Sequence, residues 1–246
     1  MPTQDAPETP RVTARPGFCW DSFPAYLFDI DGTLLHSRDR VHMNAFAEGV
    51  RNVAGRAISL EGVSLAGNTD AAILAEACRL AGLSESFFAT HSESIFRAMG
   101  DFVDRNREDL DPEVLPGVPC ALKHLADRDA LLGVATGNLE SIGWTKLVSA
   151  GLRDWFRFGG FSDRFLVRSE LVAAAAETAR TLLGDPTAEI CVVGDTPRDI
   201  EAARASGLAV VAVATGRYGF EELAALEPDL CTTTLSDLLQ QTAQGE

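Results

Sequence analysis

The 246-residue sequence is poor in basic charge, in paired cysteines and in long apolar runs, and each shortage excludes something. Its 21 Lys and Arg face 36 Asp and Glu, a formal net charge of −15. Such a field repels phosphate backbones and anionic lipid, which argues against nucleic-acid and membrane partners. The longest uninterrupted apolar stretch, Leu208 to Ala214, is far too short to span a bilayer. Five cysteines (Cys19, Cys78, Cys120, Cys191 and Cys231) form no C-x-x-C pair, so reduced structural thiols are expected. The four histidines lack metal-ligand spacing, which disfavours zinc. Residues 1–18 have neither the basic start nor the apolar centre of an export signal. A cytoplasmic protein with a flexible tail over residues 1–22 is the expectation.

Hydrophobic residues make up 46% of the chain, enough for a substantial core. Short apolar runs at 25–30, 131–135, 190–193 and 209–214 read as strands buried on both faces. Helical patterns separate the later runs, at Leu122/Leu125, 139–150 and 170–183. That alternation predicts an α/β fold, a parallel sheet with helices on both faces. Residues 38–110 break the rhythm with amphipathic helical stretches only, at 44–53, 70–81 and 84–107. The breakers Asp111-Pro112 and Leu115-Pro116-Gly117 end that region. The expected layout is a core of 23–37 and 111–246, interrupted by an all-helical insertion at 38–110.

Three strand ends carry chemistry. The first run ends in Asp29-Ile30-Asp31-Gly32-Thr33, the second in Thr136-Gly137-Asn138, and the third in Gly194-Asp195-Thr196-Pro197-Arg198-Asp199. A calcium loop is excluded at Asp29, because the required Gly and Glu positions hold Leu34 and Arg40. Each segment alone also reads as an ordinary turn or helix cap. Ligands in open α/β sheets, however, bind just outside the carboxyl ends of the strands. There Asp29, Asp195 and the carbonyl of Asp31 would converge on a hard divalent cation such as Mg²⁺. Thr136 and the helix start at Gly137-Asn138, with an arginine, would cradle a tetrahedral dianion.

These residues resemble the motifs of the haloacid dehalogenase superfamily, close to its phosphoglycolate-phosphatase-like members. FDIDGTL is similar to the first family motif, ATGN to the second and VGDTPRD to the fourth, in the shared order. The resemblance implies a Rossmann-like core, a helical cap domain at 38–110, Mg²⁺ held by Asp29, Asp31 and Asp195, and an aspartyl-phosphate intermediate. It implies a small phosphorylated metabolite as substrate, with Asp29 as nucleophile and Asp31 as acid and base. Gly32 would let the backbone approach the phosphate, and Asp199 would orient the metal water or the arginine. The family's third motif supplies a lysine, yet no lysine lies between Asp154 and Glu189. Arg168 is the expected substitute, with Arg164 as competitor.

Asp31 also separates subclasses, since related dehalogenases lack that acid. A phosphosugar mutase more commonly has Val where Thr33 stands, and phosphonate hydrolysis needs a cap lysine that 38–110 lacks. A non-catalytic binding protein on the same fold would be expected to lose Asp29, Asp31 or Asp195. In the insertion, Gly67-Asn68-Thr69-Asp70 resembles a segment that faces the active site in similar proteins, which marks Thr69 for substrate contact or as a plain N-cap. Arg38, His42 and Asn44 are further substrate candidates, with a hinge near Ser37 and Asp111-Pro112.

Overall fold

The computed structural model describes residues 11–245. Its central strand, β2 (Ala25–Phe28), is buried throughout because alternate residues serve two different cores. Tyr26 and Phe28 pack with Leu122, Leu147 and Phe156 on one face, while Leu27 packs with Leu171, Ala175 and Ile200 on the other. Parallel neighbours flank it: β5 (Leu131–Ala135) on one side and β7 (Ile190–Gly194) on the other. Beyond these lie β6 (Phe158–Gly160), next to β5, and on the other side β8 (Ala209–Val213), next to β7, followed by β9 (Leu230–Thr232), next to β8. The chain runs β2, β5, β6 and then crosses back to β7. The strand order therefore reverses at β2, and this places a crevice at the carboxyl ends of β2, β5 and β7.

Helices α4 (Val118–Ala126), α5 (Glu140–Ser149), α6 (Arg168–Leu183), α7 (Pro197–Ala205), α8 (Phe220–Ala224) and α9 (Leu235–Gly245) complete the two-sided layering. Between β2 and α4 lies the helical insertion, built from α1 (Val41–Ala54), α2 (Asp70–Leu80) and α3 (Glu85–Arg105). Its apolar stripes bury Phe46, Leu74, Ile95 and Met99 against one another. The same cluster includes Leu139 and Ile142, so the insertion is packed directly onto the start of α5. No helix among the described residues is long and apolar enough to cross a membrane.

Two strand pairs lie outside the sequence expectation. The connections to the insertion form a ribbon, β3 (Leu35–Ser37) against β4 (Pro112–Val114), with Ser37 opposite Pro112 at the expected hinge. The segment expected to be a flexible tail contributes β1 (Val12–Ala14), which pairs antiparallel with β9. Trp20 is buried behind it, its ring stacked on His124 and its carbonyl accepting the Tyr26 hydroxyl at 2.7 Å. Strands of three residues carry too little periodicity to be read locally, since their partners lie far along the chain. Residues 1–10 of the expected tail lie outside the described residues.

Candidate active site

A cleft of about 470 Å³ is lined by the ends of β2, β5 and β7, the loop after β8, β3 and the insertion, with Lys146 from α5 and Arg168 from α6. Asp29 directly follows β2, and its N–H donates to the Val193 carbonyl, which continues the ladder one step past the strand. Asp195 directly follows β7, beside Asp29. Carboxylate oxygens of Asp29, Asp195 and Asp199 lie within 4.8 Å of one another, all three residues buried. Gly32 makes this crowding feasible: it has φ +89°, and a Cβ there would stand 2.4 Å from a carboxylate oxygen of Asp195. The missing side chain at Gly32 thus makes room for Asp195.

Like charges gathered out of water resist ionisation. Burial, then the neighbouring charges of Asp29 and Asp199, push the Asp195 carboxyl up to about 8. Burial also raises Asp29, to about 6, although Arg168 pulls against it. Arg168, the first residue of α6, is the one cation among these acids, with Nη2 at 2.6 Å from Asp199 Oδ1 and 3.0 Å from Asp29 Oδ2. Burial opposes its charge, but the two carboxylates outweigh this and raise its pKa. Its buried Nε has no hydrogen-bond partner among the described residues. Arg164, the competing candidate, is exposed on a short turn before α6.

Asp199 is anchored on both oxygens. Oδ2 accepts the Thr196 N–H (2.9 Å) and hydroxyl (2.7 Å) at the start of α7, and Oδ1 faces Arg168. Asp195 has more to spare, with the Thr33 hydroxyl at 3.1 Å on Oδ1. Three carboxylates against one guanidinium leave two negative charges uncompensated when all are ionised. A divalent cation of oxygen-seeking type fits that deficit and that donor set.

Asp31 lies apart from this cluster. Its carboxylate turns to Lys146 on α5, with Nζ at 2.8 and 2.7 Å from its two oxygens, and to the Asn138 amide at 2.8 Å. Desolvation works to raise its pKa, but the Lys146 charge and these bonds prevail and lower it. Asn138 Nδ2 also reaches the Thr136 hydroxyl at 2.8 Å. The Asp31 side chain therefore stands outside the carboxylate trio, which Asp199 completes; the contact expected of Asp31 toward a cation is its backbone carbonyl.

The insertion closes the cleft through Gly67-Asn68-Thr69-Asp70. The Asp70 N–H donates to Gly137 O at 2.7 Å, and the Asp70 carboxylate accepts Leu139 N–H at 2.9 Å. A Cβ on Gly137 would stand 2.3 Å from the Asn68 carbonyl oxygen, so this approach requires glycine. Thr69, a candidate for substrate contact, is fully buried as the N-cap of α2. Its hydroxyl accepts Ala72 N–H and donates to Leu166 O, which leaves it no proton for a ligand. His42 lines the cleft, 3.0 Å from Asp70. Arg38 turns away to Glu113, and Asn44 is exposed outside the cleft.

Sequence reasoning missed Lys146, one of only two lysines in the chain. A signal was available: its neighbours one and two turns back, Gly143, Ile142 and Leu139, are all buried. A lysine on the apolar stripe of a helix calls for a buried acceptor.

Residues 23–207 match the family model described as haloacid dehalogenase-like hydrolase. A phosphoglycolate phosphatase from Synechococcus elongatus is 34% identical over 166 residues, which cover 68% of this chain and 74% of that protein. A phosphoglycolate phosphatase from Chromobacterium violaceum is 30% identical over 146 residues, 58% of this chain and 64% of that one. Among solved structures, a predicted phosphoglycolate phosphatase from Haemophilus somnus superposes with a TM-score of 0.64 at 25% identity. That alignment covers 89% of this chain and 98% of the other.

Proposed function

The chain belongs to the haloacid dehalogenase-like hydrolases, and from that premise we propose that it is a Mg²⁺-dependent phosphatase acting on a small phosphate monoester through phospho-Asp29. The observation that carries this reading is the division of the two reactive carboxylates. Asp29 sits beside Asp195 and Arg168, while Asp31 has a separate cation of its own.

Mg²⁺ would be held by Asp29 and Asp195, with Asp199 anchoring Arg168 beside them. When bound, the cation offsets the repulsion between a carboxylate nucleophile and a phosphate dianion. A carboxylate oxygen of Asp29 attacks phosphorus as the ester P–O bond breaks. Arg168 and the Thr136 hydroxyl, both lining the cleft, are donors for the phosphoryl oxygens. The leaving oxygen takes a proton from Asp31. Oδ2 of Asp31 already accepts from Lys146 and Asn138, so the proton belongs on Oδ1, where the second contact is a weak 3.5 Å one from Ser37. In the second half, Asp31 removes a proton from water, the water oxygen bonds to phosphorus, and Asp29 leaves as carboxylate with inorganic phosphate.

The insertion acts as a cap over this chemistry, and its cleft-lining residues, His42 and Asn68 among them, face the alcohol part of the substrate. Two named relatives make phosphoglycolate the first ester to try. A cytoplasmic setting belongs to the same reading, supported by five free thiols.

The decisive experiment is a screen of phosphate monoesters (phosphoglycolate, sugar phosphates, nucleotides and p-nitrophenyl phosphate) with Mg²⁺ and with chelator. Mg²⁺-dependent release of phosphate, with a phosphorylated protein trapped by acid quench and absent from Asp29→Asn, is the expected result. Absence of both turnover and metal binding would favour a non-catalytic binding protein.

A further inference from the structure

Lys146 holds a buried positive charge, its side chain 3% exposed, and enters the chemistry described above only as the counter-charge of Asp31. An ammonium has three protons to donate. All three are taken: two by the oxygens of Asp31 at 2.8 and 2.7 Å, and one by Asn138 Oδ1 at 2.9 Å. Lys146 lines the cleft yet keeps no donor for a substrate oxygen. Whatever it does for turnover, it does through Asp31 and Asn138.

Both of those partners lead to reacting atoms. The ammonium grips both oxygens of a carboxylate whose side chain is otherwise 42% exposed to the cleft, which selects one rotamer and one orientation. Its effect on Asn138 is equally directional. An amide oxygen must face an ammonium, because the amide N–H₂ would be repelled. With Oδ1 committed to Lys146, Nδ2 is left to donate to Asp31 Oδ2 at 2.8 Å and Thr136 Oγ1 at 2.8 Å. Thr136 Oγ1 then accepts twice, the second time from the Asn138 N–H at 3.3 Å. A hydroxyl with both lone pairs occupied can only donate onward, and its proton is therefore available to a phosphoryl oxygen.

We propose that Lys146 is a positioning residue. Without touching substrate, it holds the Asp31 carboxylate where it can protonate the leaving oxygen, and it orients Asn138 so that the Thr136 hydroxyl donates into the cleft. The inference rests on the phosphatase reading and on Asp31 as its proton donor. The two buried cations then have different roles, since Arg168 serves the nucleophile and Lys146 serves the acid.

The leaving group provides the test. p-Nitrophenolate departs with little help from an acid, whereas an alkyl alkoxide needs its proton. Lys146→Met keeps most of the side-chain volume and removes the ammonium. It should lower kcat/KM, which reports the leaving-group step and not the later hydrolysis that both esters share, by about 10- to 100-fold more for an alkyl ester such as glycerol 2-phosphate than for p-nitrophenyl phosphate. In an Asp31→Asn background, the same substitution should cost less than about threefold further. Equal losses of kcat/KM on the two esters, full additivity in the double variant, or a loss confined to KM would each overturn the inference. Folding is checked by thermal melting, and if Lys146→Met fails to fold, Lys146→Gln carries the same comparison. A wild-type chain inactive on every ester overturns the phosphatase reading and this inference with it. An active wild type whose variants ignore the leaving group overturns the inference alone.

Discussion

Asp29 and Arg168 meet across 3.0 Å, carboxylate Oδ2 to guanidinium Nη2, with their side chains 7% and 5% exposed. They reach this point from the end of β2 and the start of α6, two elements far apart in sequence. The guanidinium continues to Asp199 at 2.6 Å, so one side chain ties together the segments that follow β2 and β7. Both contacts are made by Nη2, whose two N–H bonds are fixed in the guanidinium plane, whereas a lysine ammonium rotates and holds two acceptors with less directional order.

That bridge has a measurable consequence for stability. Arg168→Met leaves Asp29 and Asp199 buried without a counter-charge, and should destabilise the metal-free protein by about 3–5 kcal/mol. Arg168→Lys should recover part of the loss. Urea unfolding in chelator at neutral pH checks both, and an unchanged midpoint for Arg168→Met would contradict the role assigned to the bridge.

Asp29→Asn removes the attacking oxygen while keeping the shape of the side chain. The kcat for any accepted ester should fall by at least about 10³-fold. The melting temperature without metal should not drop in proportion, because one of three crowded charges has gone. Substantial remaining turnover in a clean preparation would remove Asp29 from the nucleophile's place.

The raised pKa values of Asp29 and Asp195, about 6 and about 8, predict how the metal-free protein responds to pH. A carboxyl whose folded-state pKa lies above its unfolded value binds its proton more tightly in the folded state. Its favourable contribution is complete below the unfolded value near 4, and it is lost as pH rises through the folded one. Thermal stability in chelator should therefore decline from about pH 4 to about pH 8 on account of this pair. Mg²⁺ should flatten the decline, since a bound cation favours the ionised carboxylates. Melts across that range with and without Mg²⁺ provide the check, and identical slopes would count against a cation at this site.

Gly137→Ala tests the docking of the insertion on the core. The added Cβ would meet the Asn68 carbonyl oxygen, which is backbone and cannot rotate away. The two parts must separate there, breaking the bond from Asp70 N–H to Gly137 O. We expect kcat/KM to fall by about 10- to 100-fold, with a larger radius of gyration by small-angle scattering. Wild-type values for both would show that the contact is dispensable.

The sequence by itself determined the parallel core and the three strand ends, because those strands are apolar throughout and their periodicity is local. It also marked Asp29, Asp195 and Thr136 as neighbours, since a parallel sheet brings all its carboxyl ends to one edge. Through the resemblance, whose third motif supplies a lysine missing here, it implied Arg168, and the absence of strand patterns between 38 and 110 pointed to a separate helical insertion.

Only the tertiary structure decided what each side chain touches. Asp31 stands two residues from Asp29 yet faces a different cation, because Lys146 arrives on a helix more than a hundred positions away. Thr69, suggestive beside Asp70, turns out to be occupied with capping its own helix. The strand β1 and the buried Trp20 were invisible because a three-residue edge strand takes its meaning from its partner, β9. Periodicity and turn chemistry act within a few residues and are written along the chain. The choice among several acids and several cations is made by packing, where distances of 2.6 to 3.0 Å depend on elements that meet only once the core has formed.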